Sequence, residues 1–202
     1  MNDTKADPVE HIPEISEEDV IEGMRAIEGY IDLTPYDFKK LYEKVYVFTR
    51  RRILRETHAA DIMTQPVVTV RETDSLEQLV RLLAEHSISG VPVVDGQDKI
   101  TGVISEKDIL CFMGRDPKSH IMRLIADSLF RPLCLDAESR NLKVSGIMSS
   151  PARCVEEGTS LGDIIAMFET KAINRLPVTD EEGKAAGIIT RDDMITAISR
   201  RL

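Results

Sequence analysis

Two short patterns in this chain combine residues able to do chemistry, Ser105-Glu-Lys-Asp108 and Thr190-Arg-Asp-Asp193. A hydroxyl followed three residues later by a carboxylate is first of all a way to start a helix. The side-chain oxygen accepts from an N–H of the first turn, and the acid reaches back to the N–H of the cap. The same place can hold an anion, because free N–H groups and the helix dipole converge there. Each pattern follows a glycine-bearing apolar run, Gly102-Val-Ile and Gly187-Ile-Ile. Other chemistry is thin. Four histidines, His11, His58, His86 and His120, stand apart without metal-ligand spacing. Cys111, Cys134 and Cys154 lack a Cys-x-x-Cys spacing and read as buried thiols of a reducing compartment. No Gly-x-Ser-x-Gly, no P-loop and no cysteine–histidine arrangement suggests a nucleophile, so the chain reads as a non-enzyme that requires no cofactor.

The elements that must position these patterns occur twice. Residues 61–110 and 146–195 align without a gap at an offset of 85, with 15 of 50 positions identical. Such self-similarity marks a repeated structural unit. In the first copy, Val67 to Val70 is short and β-branched, which predicts a strand. Asp74-Ser-Leu-Glu77 opens a helix with Leu76, Leu79, Val80 and Leu83 on one face. Val91 to Val94 and Ile100 to Ile104 are strands joined by the turn chemistry of Asp95-Gly-Gln-Asp98. A closing helix starts at Ser105. The second copy repeats the plan, with a strand over Ala152 to Val155, a helix from Ser160 to about Thr170, a hairpin from Leu176 to Ile189 and a closing helix from Arg191. Each unit is therefore β-α-β-β-α, and the fold class is α/β (α+β).

Outside the copies, Pro8 and Pro13 break any helix in the tail before about Ile15. Ser16-Glu-Glu-Asp19 is a capping box, with Val20, Met24 and Ile27 at helical spacing and Gly29 as a stop. Thr34-Pro35 starts a second helix in which Phe38, Leu41, Val45 and Phe48 recur. It runs to about Glu56 and ends in Arg50, Arg51, Arg52 and Arg55, a basic cluster suited to the helix's negative end. Between the copies, Asp116-Pro117 with Ile121, Leu124, Ile125 and Leu129 predicts an extra helix. The organisation expected is a tail and two-helix extension over 1–58, a first motif over 59–113, a helical insert over 114–143 and a second motif over 144–202.

Composition narrows the function. Hydrophobic content of 42% suffices for a packed core. No run approaches the roughly 20 apolar residues of a membrane span, and the acidic N-terminus lacks a signal pattern, so a cytoplasmic location is expected. A net charge of -9 and 4% aromatic residues disfavour a nucleic-acid partner.

The two copies resemble CBS motifs, the regulatory unit named after cystathionine β-synthase. The marks are Ile62-Met63 and Ile147-Met148, the apolar-Pro-Val strand ending in Asp95 or Asp180, and the glycine-to-aspartate close quoted above. The resemblance implies two motifs packed as a pseudo-two-fold pair that further pairs into a homodimer. It implies a sensor of adenosine compounds such as AMP, ADP, ATP or S-adenosylmethionine, passing a conformational change to an unknown protein effector. It assigns a ribose-binding role to Asp108 and Asp193; beside them the hydroxyls of Ser105 and Thr190, at the helix starts, can add a bond to a phosphate. Adenine would lie against Val67, Val68, Ile88 and Pro92, or against Ala152, Arg153, Ile173 and Pro177. In the second copy Arg175 stands where the first has Gly90, and the resemblance implies a phosphate contact for it. The cleft of Thr190, Asp193 and Arg175 is thus expected to be the tighter. Two other readings stand beside this one, a ligand-free dimerisation scaffold and a nucleic-acid regulator using Arg50 to Arg55.

Overall fold

The computed structural model describes residues 15–29, 32–112, 141–171 and 173–200. Ser16 starts α1 (Glu17–Arg25). Its hydroxyl accepts from the Asp19 N–H, and the Asp19 carboxylate accepts from the Ser16 N–H, both at 3.0 Å. The helix stops at Arg25, before Ile27 and Gly29. Gly29 instead takes a φ of 114° in the turn beyond, a conformation that suits glycine. Thr34 caps α2 (Pro35–Glu56), and Pro35 occupies the first helical position. Leu54 of α2 packs against the second motif, whereas Leu41, Val45 and Phe48 stay exposed. The insert helix expected between Asp116 and Leu129 lies outside the described residues, as does the tail before Ile15.

Each repeat folds as anticipated in order. The first has β1 (Val70–Arg71), α4 (Leu76–His86), β2 (Gly90–Val94), β3 (Ile100–Ser105) and α5 (Glu106–Phe112). The second has β4 (Val155–Glu156), α6 (Leu161–Lys171), β5 (Arg175–Thr179), β6 (Ala185–Thr190) and α7 (Arg191–Ser199). In each sheet the order is first, second, third strand, with one parallel and one antiparallel pairing. The hairpin turns, Asp95-Gly-Gln-Asp98 and Asp180-Glu-Glu-Gly183, are held by the same bonds. Asp95 Oδ1 accepts from the N–H groups of Gln97 and Lys99 at 2.7 and 3.0 Å, and Asp180 Oδ1 does the same with Glu182 and Lys184 at 2.9 and 2.8 Å.

The first strand of each unit begins later than the β-branched run suggests. Val67 to Thr69 and Ala152 to Cys154 pair with no strand, and β1 and β4 start at Val70 and Val155. The reason is that each lead-in is committed elsewhere. Thr64 bridges to Ile188 of the second motif, and Ser149 bridges to Val103 of the first. Pro66 and Pro151, which follow, have no N–H to continue a ladder.

This exchange reaches into the cores. The short helix α3 (Ala59–Ile62) opens the first motif, yet Ala59 is fully buried in the core of the second, and its N–H donates to Thr159 O at 2.8 Å. Val144 begins the 3-10 turn that opens the second motif, yet it is fully buried in the core of the first and its N–H donates to Asp74 O at 2.9 Å. Burying a side chain such as Val144 contributes about 1.5–3 kcal/mol. The Met63 sulfur packs on Gly187 and the Met148 sulfur on Gly102, so closely that a Cβ at either glycine would collide with it. The methionine and glycine marks of the repeat are therefore two halves of one contact between motifs. Among the described residues no helix is long and apolar enough to cross a membrane.

Candidate functional site

The two hydroxyl–carboxylate patterns start α5 and α7. Asp108 Oδ2 accepts from the Ser105 N–H at 2.8 Å and from the Ser105 hydroxyl at 2.6 Å. Asp193 Oδ2 accepts from the Thr190 N–H at 2.7 Å and from its hydroxyl at 2.6 Å. The other carboxylate oxygen looks outward, to the opposite motif. Asp108 Oδ1 accepts from the Ser149 hydroxyl at 2.9 Å, and Asp193 Oδ1 from the Thr64 hydroxyl at 3.3 Å. Capping thus uses one oxygen of each aspartate and leaves the second at the seam.

A cavity of about 640 Å3 opens beside Asp108, a size suited to a small molecule. The first motif lines it with Ser105, Lys107 and Asp108. The second supplies Ser149, Ala152, Arg153, Ile173, Arg175 and Thr190. Lys107, Arg153, Arg175 and Arg191 face Glu106, Asp108 and Asp192 there, so the lining carries cations for an anion and carboxylates for hydroxyls. Asp193 does not line this space. It lines a separate cavity of about 380 Å3 with Thr64, Thr196 and Arg200. Val67, Val68, Ile88, Pro92 and Pro177 are not brought to the larger cavity. Val68 and Ile88 pack against the first core, and Val67 is half-buried in the lead-in. Pro92 and Pro177 are buried within β2 and β5, opposite Val103 and Ile188.

Arg175 corrects the expected grouping. It opens β5 in register with Thr190, but its guanidinium crosses to the first motif. Nη1 donates to Ser89 O at 3.0 Å, and Nη2 donates to Ser89 Oγ at 2.7 Å. Burial lowers its pKa from the usual arginine value, while the nearby charges of Glu106 and Asp108 act in the opposite direction. Arg175 therefore belongs with Ser105 and Asp108, and not with Asp193. Gly90 is the physical reason. A Cβ there would collide with the Arg175 guanidinium and stand 2.6 Å from Ile104 O. The glycine is the space that the arginine occupies.

Sequence reasoning passed over Ser149, Thr64 and Ser89. A signal existed for the first two, since Thr64 and Ser149 are aligned hydroxyls directly after the Ile-Met mark. Ser89 gave none, because its role depends on a side chain from the other copy.

The CBS domain model matches residues 59–115 and 144–200, more than half of the chain. An uncharacterized protein of Methanocaldococcus jannaschii is 30% identical over 150 residues, covering 68% of this chain and 89% of that one. Inosine-5'-monophosphate dehydrogenase of the same organism is 25% identical over 137 residues, and the match spans 68% of this chain but 23% of the dehydrogenase. Among solved structures, CBSX2 of Arabidopsis thaliana in complex with AMP superposes with a TM-score of 0.55 at 26% identity, covering 71% of this chain and 96% of that one.

Proposed function

The chain belongs to the CBS-domain family as a tandem pair, and from that premise we propose that it is a non-catalytic, cytoplasmic sensor of an adenosine nucleotide. The observation that supports this most is the cavity beside Asp108, built from both motifs and lined by cations and carboxylates together. Ala152 and Ile173 give an apolar slot for adenine. Asp108 Oδ1 accepts from ribose hydroxyls in place of Ser149. Arg153, Arg175 and Lys107 take the phosphates, and an arginine can fork two oxygens with charge-assisted bonds.

Arg175 supplies the link to a response. Its guanidinium ties the second motif to Ser89 of the first. A phosphate competes with Ser89 for the same donors and loosens that tie, which favours a different relative orientation of the motifs. A ligand shifts such an equilibrium only by its difference in affinity for the two arrangements. The effector is a second protein that reads this orientation.

Titration calorimetry with AMP, ADP, ATP and S-adenosylmethionine tests the reading. Binding is expected to weaken at least about tenfold in Asp108→Ala, since a hydrogen bond to a charged group is worth roughly 1.5–3 kcal/mol, and to change little in Asp193→Ala. If no adenosine compound binds or raises the melting temperature, the sensor reading fails. A ligand-free scaffold then remains, or, if salt-dependent nucleic-acid binding follows Arg50 to Arg55, a nucleic-acid regulator.

A further inference from the structure

Two cavities of this fold share a wall. Arg191 lines the cavity beside Asp108, and it also lines a largely apolar cavity of about 350 Å3 beneath the end of α2. Among the described residues Arg191 alone lines both. The second cavity lies where α2 meets the second motif. α2 lends it Ile53 and Leu54, α6 lends Phe168 and α7 lends Met194. Leu54 packs against the core that holds Phe168 and Met194. The lack of a side chain at Gly162, where the first copy has Glu77, lets α2 come this close. Even a Cβ there would lie 3.6 Å from Leu54 O.

The Arg191 guanidinium is held in this wall by two weak contacts. Nη2 donates to Ile173 O at 3.3 Å, a long bond for an N–H···O pair. The guanidinium carbon lies 5.9 Å from the centroid of the Phe168 ring, and at an exposed site a cation over a ring is only modestly attracted. A phosphate in the larger cavity offers the same guanidinium two oxygens and charge-assisted bonds, which are roughly twice as strong as neutral ones. The matching residue of the first motif is Glu106, whose charge repels a phosphate. This competition for one side chain therefore exists at the second motif and not at its twin.

We propose that Arg191 couples the nucleotide cavity to the seating of α2, a step that rests on the nucleotide reading above. In one arrangement the guanidinium bonds Ile173 O and covers the Phe168 ring, completing the wall against which α2 sits. In the other it turns to the phosphates, and the ring and the end of α2 lose that cover. One guanidinium cannot serve both, so phosphate binding and the seating of α2 oppose each other. The opposition is reciprocal, so a change that unseats α2 tightens the nucleotide by the same factor. α2 lies outside both segments that match the family model, 59–115 and 144–200. The element that carries the response is thus one that the family pattern does not supply.

Hydrogen exchange of the full chain, read by mass spectrometry on peptides covering residues 45–56, tests this at ATP concentrations shown by calorimetry to saturate each variant. ATP is expected to speed exchange in these peptides about fivefold or more. Adenosine, which has no phosphate, should leave it unchanged. In Arg191→Ala exchange should already be fast without nucleotide and should no longer respond to ATP. Gly162→Glu, which unseats α2 from a position outside the nucleotide cavity, should tighten ATP about fivefold or more. If ATP binds but exchange in α2 does not change, or changes equally in Arg191→Ala, the coupling is overturned while the nucleotide reading stands. An ATP affinity that Gly162→Glu leaves unchanged or weakens overturns it too. If ATP and the other adenosine compounds do not bind at all, the nucleotide reading fails and the coupling falls with it.

Discussion

Around Asp108 the second motif contributes Ser149, Arg153 and Arg175, whereas the first motif offers Thr64, Val68 and Gly90 at the matching positions for Asp193. The hydroxyl is kept on both sides, and so are the capping bonds, the methionine-on-glycine contacts and the exchanged lead-ins. The two arginines exist on one side only. The features shared by both copies are those that hold the pair together. The features that differ are those that set the charge of the cavity. Duplication has thus preserved the scaffold twice and left one cleft free to specialise.

The scaffold half of this comparison is open to the largest perturbation. Phe168 and Leu83 hold equivalent places in α6 and α4 and are 2% and 6% exposed. Phe168→Ala is expected to cost about 3–5 kcal/mol, and Leu83→Ala about 2–5 kcal/mol. Because Ala59 and Val144 sit in each other's cores, either variant should still unfold in urea as one transition. Two separated transitions in either variant would show that the motifs are not interlocked.

The charge half is tested at Arg175 and its glycine. Arg175→Gly should weaken ATP binding roughly tenfold or more, by loss of charge-assisted bonds of roughly 1.5–3 kcal/mol. Gly90→Ala should weaken it as well, although residue 90 touches no ligand, because the new Cβ displaces the guanidinium. Adenosine, which has no phosphate, should bind both variants nearly as it binds the wild type. Calorimetry with the two ligands separates these effects, and an equal loss of both would assign Arg175 a purely structural role.

The repeat, its β-α-β-β-α order of elements and both caps were legible because they are local. Turn residues, capping spacing and apolar periodicity act within a few positions. What escaped depends on side chains crossing between copies. Val67 to Val70 has strand propensity, but the lead-in is bound to Ile188 before the sheet begins. Arg175 was grouped with Thr190 and Asp193 because all three belong to the second copy, yet its length carries it to Ser89 of the first. The apolar spacing in α2 was correctly a helix signal, but spacing alone did not say that Leu41, Val45 and Phe48 would face outward.

The smallest expected effect locates the ligand without disturbing the fold. Cys154 follows Arg153, is half-buried, and its thiol is pushed up in pKa by that burial. Cys111, near the end of α5, is exposed. Alkylation proceeds through the thiolate. At pH 8 iodoacetamide should therefore label Cys111 several-fold faster than Cys154, and the gap should narrow as pH rises toward the raised pKa of Cys154. Thr69 occupies the matching position in the first motif and is also half-buried, so Thr69→Cys in a Cys111→Ser background is a mirror-image probe. A nucleotide seated beside Arg153 should slow labelling of Cys154 and leave residue 69 unchanged. Equal protection at both positions would mean that both clefts bind, and that the arginines of the second motif do not decide which one is used.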